Sequence, residues 1–116
     1  NPSELAYNYA RLFYPNDPII VLSIGTGRGP NSSENMLEAE MQAVHESMAE
    51  KAKIDRNLIY FRLQPDLAKD MSGDDDWSQE ATEFLIDDTQ GYISENKSEF
   101  TRLFQLMRFK AEQMIF

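Results

Sequence analysis

Pro18-Ile19-Ile20-Val21-Leu22-Ser23-Ile24-Gly25-Thr26-Gly27-Arg28-Gly29-Pro30 is the one stretch of the chain that joins an apolar run to a concentrated glycine turn. Residues 19–24 are rich in β-branched side chains and follow a proline, which is typical of a strand buried on both faces. Three of the five glycines come next at alternate positions, and a proline closes the turn. Glycine permits positive φ and the close approach of another group. We therefore expect the fold, and any ligand site, to centre on this strand and loop.

The composition limits the classes of protein to which the chain can belong. At 116 residues it fits one domain at most, and 41% hydrophobic with 27% charged residues is ordinary for a soluble globular protein. A net charge of −9 argues against a nucleic-acid surface, which requires a basic patch. Because there is no cysteine, disulfides, thiolate zinc sites and a cysteine nucleophile are excluded. No apolar run approaches the roughly 18 residues of a transmembrane helix.

The first half of the chain predicts two helices and two strands. A proline and an acid at positions 2 and 4 suit the first turn of a helix, which Pro15 ends. A second helix begins at Met36 with apolar residues at helical spacing, and residues 58–63 form a second strand. Two strands joined through a helix predict a parallel pair with a right-handed crossover.

The second half predicts two further helices, which completes the order α-β-α-β-α-α. Asp76 with Gln79 resembles a capping box at the start of the third helix, and Asn96 with Glu99 resembles one at the start of the fourth. The apolar side of the last helix consists of Phe100, Leu103, Phe104, Met107, Ala111 and Met114.

Two strands that both look fully buried do not make a sheet that can be covered on both faces, because sheets typically have about four to six strands. The strand count therefore predicts an α/β fragment: part of a predominantly parallel sheet with helices on both faces. The missing strands are expected to precede Asn1 in sequence.

The glycine turn and its strand are the first candidates for a functional site. A dinucleotide fingerprint needs a small residue where Pro30 stands, and a phosphate loop needs a Gly-Lys-Ser/Thr ending that is absent. The simpler interpretation is a turn in which Gly25 and Gly27 permit close packing. Ser23 lacks the first glycine of a Gly-x-Ser-x-Gly elbow, so we expect a buried hydroxyl bonded to neighbouring backbone.

Three further features have weaker functional interpretations. His45 is the only histidine and lies on the second predicted helix, where a structural role is expected because no nucleophile or second ligand accompanies it. Asp74-Asp75-Asp76 lacks the spaced ligands of a calcium loop. The stripe of Phe100–Phe116 is expected to be core, although a lipid-facing role stays open because basic residues accompany it: Arg102, Arg108 and Lys110. From the residues alone, no catalytic, cofactor-binding or metal-binding set is predicted.

The order of several motifs resembles the C-terminal part of a patatin-like phospholipase domain. Asn1-Pro2-Ser3-Glu4-Leu5-Ala6 is similar to the Asn-Pro and helix that follow the family's catalytic Asp-Gly-Gly/Ala. Ser23-Ile24-Gly25-Thr26-Gly27 is similar to its Ser-Leu/Ile-Gly-Thr-Gly strand end, and residues 60–65 are similar to its Tyr-x-Arg-x-Gln strand. Residues 75–93 resemble the Asp-Asp-containing helix after that strand, and the last predicted helix corresponds to the family's C-terminal helix.

The resemblance implies a three-layer domain that cleaves acyl esters of lipids with a serine–aspartate dyad, at a membrane surface. Neither the Gly-x-Ser-x-Gly nor the Asp-Gly-Gly lies in residues 1–116, so no catalytic residue is carried onto this chain. Its implied partner is the N-terminal remainder of the same domain, and no cofactor is implied. The alternative is a non-catalytic lipid- or protein-binding module of degenerate patatin-like fold. A third hypothesis is nucleotide binding at residues 25–29. The oligomeric state stays open, as does the cellular location, for which the cytoplasm with peripheral membrane contact is the expectation.

Overall fold

The computed structural model describes residues 1–30, 36–68 and 78–113, with side chains described as far as Phe109. The chain divides into two compact units, Asn1–Asp70 and Met71–Phe116. The predicted order α-β-α-β-α-α is confirmed. The elements are α1 (Ser3–Phe13), β1 (Ile19–Ile24), α2 (Met36–Ile54), β2 (Leu58–Leu63), α3 (Gln79–Glu95) and α4 (Lys97–Gln113).

The two strands form a parallel pair, as predicted. Ile19 lies opposite Leu58, and the register continues to Ile24 opposite Leu63. Beyond the strand ends, Arg28 and Asp66 form one more parallel bridge. The segments that follow β1 and β2 therefore stay side by side past the carboxyl ends of the two strands.

Both helices of the first unit pack on one face of the sheet. Val21, Leu58 and Met48 of α2 form the buried centre of the core, and Tyr7 of α1 packs against it. On the opposite face of β1, Leu22 is 37% exposed and Ile24 is 70% exposed. The prediction that β1 is buried on both faces is therefore wrong for this structure, because both helices cover the face of the odd-numbered residues. The structure is mixed α/β, with a two-stranded parallel sheet.

Polar contacts of α1 fix its position against the turn before β2. The hydroxyl of Tyr7 and the guanidinium of Arg11 both donate to Asp55 Oδ2, each at 2.8 Å. Lys51 of α2 pairs with Glu4 in the first turn of α1 at 2.9 Å. The helix ends before Pro15, as predicted from the steric restriction on the residue that precedes a proline.

The caps of α3 and α4 differ from the predicted ones. Helix α3 begins at Gln79, and Ser78 is its N-cap, whose hydroxyl accepts from the backbone N–H of Ala81 at 3.1 Å. Asp76, the predicted cap, lies outside the described residues. Asn96 does precede α4, but its side-chain amide donates back to the carbonyl of Tyr92 at 2.8 Å. The side-chain amide of Asn96 therefore bonds the last turn of α3.

The second unit contains the apolar stripe predicted for α4. Leu103 is almost fully buried, and Phe100 contacts Tyr92 edge to face with ring centroids 6.2 Å apart. Phe104 and Met107, however, are 62% and 47% exposed, so the predicted stripe is only partly core. Across the described helices, none combines the length and the apolar character that crossing a membrane requires.

Candidate functional site

Polar side chains collect where β1 and β2 end. Ligands of open parallel sheets bind outside the carboxyl ends of the strands, so this edge is where a site is expected. Three segments meet there: the start of α1, the end of β1 with its glycine turn, and the end of β2. These are the three segments that carry the Asn-Pro, Ser-Ile-Gly-Thr-Gly and Tyr-x-Arg-x-Gln motifs.

Ser23 lies at the centre of a buried hydrogen-bond network. Its hydroxyl accepts from Arg62 Nη1 at 2.7 Å and donates to the side-chain oxygen of Asn1 at 3.2 Å. The same oxygen of Asn1 accepts from the backbone N–H of Ser3 at 3.2 Å and from the Ser3 hydroxyl. Asn1 Nδ2 donates to the carbonyl of Met41 at 3.3 Å, which ties the network to α2. The expected bond from Ser23 to neighbouring backbone is replaced by bonds to distant side chains.

This network gives Ser23 no means of activation as a nucleophile. Its bonded partners among the described residues are a guanidinium, a side-chain amide and the hydroxyl of Ser3, and a guanidinium is always protonated and cannot accept a proton. Nucleophilic serines need an adjacent general base. Ser23 is also buried, with 7% of its surface exposed. Its contacts here are those of a buried, hydrogen-bonded hydroxyl.

Gly25 and Gly27 of the turn leave space for side chains of β2 and of the segment that follows it. A Cβ on Gly25 would overlap Gln64 Oε1 and would lie 2.9 Å from Arg62 Nη2. Gly27 has φ of +100°, and a Cβ there would lie 2.9 Å from three atoms of Leu67. The prediction that these glycines permit close packing is confirmed.

Three backbone N–H groups of the turn are already bonded within the chain. Gly25 donates to Leu63 O at 2.8 Å, Gly27 to Gln64 Oε1 at 2.8 Å, and Arg28 to Pro65 O at 2.9 Å. A phosphate loop depends on free backbone N–H groups that point at the ligand. The arrangement therefore disfavours the phosphate-loop and nucleotide hypotheses for residues 25–29.

A cavity of about 190 Å³ opens beside this network, between α2 and the ends of the strands. Ligand pockets for drug-sized molecules typically have about 300–1,000 Å³, so this cavity suits only a small group. The lining is mostly polar and comprises Arg28, Glu38, Met41, Gln42, His45, Arg62 and Gln64.

His45 forms one wall of the cavity. Its Nδ1 lies 2.9 Å from the hydroxyl of Tyr60. Burial, followed by the positive charge of Arg62, lowers the pKa of His45, and Arg28 acts in the same direction. Glu46 opposes them by raising the pKa. The imidazole is therefore neutral at pH 7 and lies in a locally positive field, although the chain as a whole carries a charge of −9.

The acidic run Asp74-Asp75-Asp76 lies outside the described residues. Within residues 1–30, 36–68 and 78–113, no group of three or more His, Asp or Glu side chains is placed to hold a metal ion. Arg62 and Gln64 were recognised in the sequence only as part of a motif, and their roles at the site were not predicted. No local pattern indicates these roles, because Gln64 lies one residue beyond β2 and only the strand register places Arg62 opposite Ser23.

No protein-family model, no curated protein and no solved structure matches this chain. The patatin-like resemblance therefore depends on the motifs of the sequence. What the structure adds is the set of contacts between those motifs.

Proposed function

We propose that the chain is the C-terminal part of a patatin-like serine acyl hydrolase, which cleaves acyl esters of lipids. In this proposal the reacting serine and aspartate belong to the preceding part of the same three-layer domain. Residues 1–116 complete the sheet and support the active site. No catalytic residue is proposed within them.

One observation carries the proposal. The side chains of Asn1, Ser23 and Arg62 belong to three separate motifs, yet they are joined by direct hydrogen bonds of 3.2 and 2.7 Å. In the family that the chain resembles, the catalytic aspartate lies just before the Asn-Pro. An aspartate at that place would lie beside this network, which would hold its backbone. Such support from residues behind the reacting group is what a precise active site requires.

The face of β1 that points away from the helices gives a second, weaker argument. On that face Leu22 is 37% exposed and Ile24 is 70% exposed. An apolar strand face is normally buried against another element of the fold. Further strands and helices of the same domain would cover this surface in the proposed three-layer arrangement.

The test is covalent labelling of the complete protein that contains this sequence with an alkyl fluorophosphonate, followed by peptide mass spectrometry. We expect the label on a serine of a Gly-x-Ser-x-Gly that precedes residue 1, together with release of fatty acid from a phospholipid substrate. The aspartate of an Asp-Gly-Gly or Asp-Gly-Ala, when changed to asparagine, should abolish fatty-acid release. Ser94→Ala, an exposed serine on α3, is the matched control and should leave labelling unchanged.

Three results would overturn the proposal. The first is a label on Ser23 or on another serine within residues 1–116. The second is phospholipid hydrolysis that continues when the labelled serine is blocked. The third is a complete protein that neither reacts with the fluorophosphonate nor releases fatty acid, which would leave the non-catalytic binding module as the better hypothesis.

A further inference from the structure

We propose that the cavity between Arg28, Arg62 and His45 binds a phosphate group, either as free phosphate or as the phosphate of a lipid headgroup. The inference stands independently of the proposed hydrolase activity, because it concerns binding without turnover. It uses the side chains around the cavity and not the backbone of the glycine turn, where the N–H groups of Gly25, Gly27 and Arg28 are already bonded.

The first argument is the charge of the lining. Two guanidinium groups line a cavity of about 190 Å³, and among the described residues that line it Glu38 is the one carboxylate. Arginine is the preferred partner of phosphate and carboxylate because its planar fork donates two parallel hydrogen bonds. A phosphate carries about −1.5 to −2 charges at pH 7. It therefore balances the charge of two guanidinium groups better than the single charge of one carboxylate.

The second argument is that Arg28 has no strong partner among the described residues. Its Nη1 lies 3.4 Å from Gln42 Oε1, and its Nη2 lies 3.4 Å from Asp66 Oδ1. Typical N–H···O bonds are about 2.7–3.2 Å long. The carboxylate of Asp66 is itself 81% exposed, so this pair contributes little. An anion in the cavity would offer Arg28 a better partner than it now has.

The third argument is that the backbone of Arg28 and the guanidinium of Arg62 are held at the cavity before any ligand arrives. The backbone of Arg28 is fixed on both sides, through its N–H to Pro65 O at 2.9 Å and its carbonyl to the N–H of Leu67 at 2.7 Å. Arg62 lies in β2, and its guanidinium is anchored on Ser23 at 2.7 Å. A site whose donors are already positioned loses less entropy on binding.

The size of the cavity sets which part of a ligand it can hold. A single phosphate group fits a space of about 190 Å³, with the remainder of the ligand outside it. A second pocket of about 580 Å³ shares Arg28, Glu38 and Gln42 with this cavity. The ligand class is therefore a phosphomonoester or phosphodiester head.

The test is isothermal titration calorimetry at pH 7 in chloride buffer, with three probes. Inorganic phosphate and dihexanoyl phosphatidic acid below its micelle concentration separate the free and lipid sources, and acetate is the comparison anion. We expect millimolar or tighter binding of at least one phosphate probe, and at least about tenfold weaker binding of acetate. Tighter binding of phosphatidic acid than of inorganic phosphate assigns the lipid source, and the reverse assigns the free one.

Variants assign the binding to this cavity. Arg28→Gln and Arg62→Gln should each weaken phosphate binding by about tenfold or more, since each removes charge-assisted hydrogen bonds. Glu38→Gln should strengthen it. Arg56→Gln, an exposed arginine in the turn before β2, removes the same charge at the other end of the strands and should leave affinity unchanged. Because Arg62 also bonds Ser23, its variant is interpreted only if circular dichroism shows it folded, and Arg28→Gln carries the test otherwise.

A second measurement reports from inside the cavity. His45 is the only histidine in the sequence, and in a longer protein its resonance is identified by its loss in His45→Gln. A bound anion beside Arg28 and Arg62 should raise the pKa of His45 in an NMR titration. The groups that act on this imidazole are Arg28, Arg62, Glu46 and, through its hydroxyl, Tyr60.

Four outcomes would overturn the inference. These are dissociation constants above about 10 mM for both phosphate probes, acetate binding as tight as phosphate, equal losses in Arg28→Gln and Arg56→Gln, and no movement of the His45 pKa on binding. Failure here leaves the fluorophosphonate result untouched, so the two proposals are tested separately.

Discussion

Gly27→Ala tests whether the glycine turn is built for close packing. Gly27 has φ of +100°, and a residue with a Cβ pays about 1–2 kcal/mol in a left-handed conformation. The added methyl would also lie 2.9 Å from the side chain of Leu67, which is only 7% exposed and cannot swing into solvent. Overpacking of this kind costs about 1–3 kcal/mol. We therefore expect a loss of about 2–5 kcal/mol in the free energy of unfolding.

The assay is urea denaturation followed by circular dichroism, with a thermal melt as a second measure. For a chain of this length, each kcal/mol corresponds to roughly 4 °C in Tm. Gly91→Ala is the matched control, because a Cβ at this exposed position of α3 meets nothing within 4 Å. Alanine is the better helix former by about 1 kcal/mol, so this variant should be more stable than the parent protein.

The double variant Gly27→Ala with Leu67→Ala separates the two causes. Removing the Leu67 side chain relieves the contact but not the backbone strain, so the double variant should be more stable than the sum of the single effects predicts. Additive effects would refute the steric part of the reasoning. A Gly27→Ala protein within about 0.5 kcal/mol of the parent, which is the range of ordinary surface substitutions, would refute all of it.

Three further predictions concern the core, the cavity and the α1 contacts. Met48→Ala should lower the free energy of unfolding by about 2–5 kcal/mol, since Met48 is fully buried, and urea denaturation measures this. Burial, followed by the charge of Arg62, should hold the pKa of His45 below 6.5, and Glu46→Gln should lower this pKa further. An NMR titration measures both values, and a pKa above 6.5 would contradict the described cavity. The pKa of Asp55 is lowered below its ordinary 3.8, and the largest cause is the hydrogen bond that the Tyr7 hydroxyl donates to it. Because the folded-state pKa is depressed, this contribution is present above about pH 4 and is lost as pH falls through the folded value. Unfolding measured between pH 2 and 6 should therefore show a shallower acid dependence in Tyr7→Phe than in the parent.

The sequence predicted most of the secondary structure because its boundaries are set by local chemistry. Pro15 ends α1, the β-branched run marks β1, and a helix between two strands makes them parallel. It did not predict which face of β1 is covered. An unbroken apolar run contains no alternation, so Leu22 and Val21 look equivalent in sequence, although only Val21 faces the helices.

The contacts of the site could not be predicted for a different reason. Ser23 bonds to Asn1 and Arg62, which are 22 and 39 positions away in sequence. No local rule joins such residues. Only the strand register, which puts Arg62 opposite Ser23, brings them together. The resemblance placed these residues in three motifs but was silent about their hydrogen bonds, and the charged cavity beside them had no sequence signal at all.

Together, the two proposals distinguish an enzyme part from a binding module. If a serine before residue 1 is labelled and phosphate binds at Arg28, the protein is a hydrolase whose C-terminal part holds the headgroup. If phosphate binds but no serine is labelled, the protein is a binding module in which the Ser23 network has only a structural role. The discriminating variant is then Arg28→Gln, because the bonds of Arg28 to Gln42 and Asp66 are both 3.4 Å long, so their loss should disturb the fold less than loss of the 2.7 Å bond of Arg62 to Ser23. In an enzyme that holds the headgroup there, it should raise KM for a phospholipid and leave kcat nearly unchanged. A neutral acyl ester, which has no phosphate, should be hydrolysed as fast as by the parent protein.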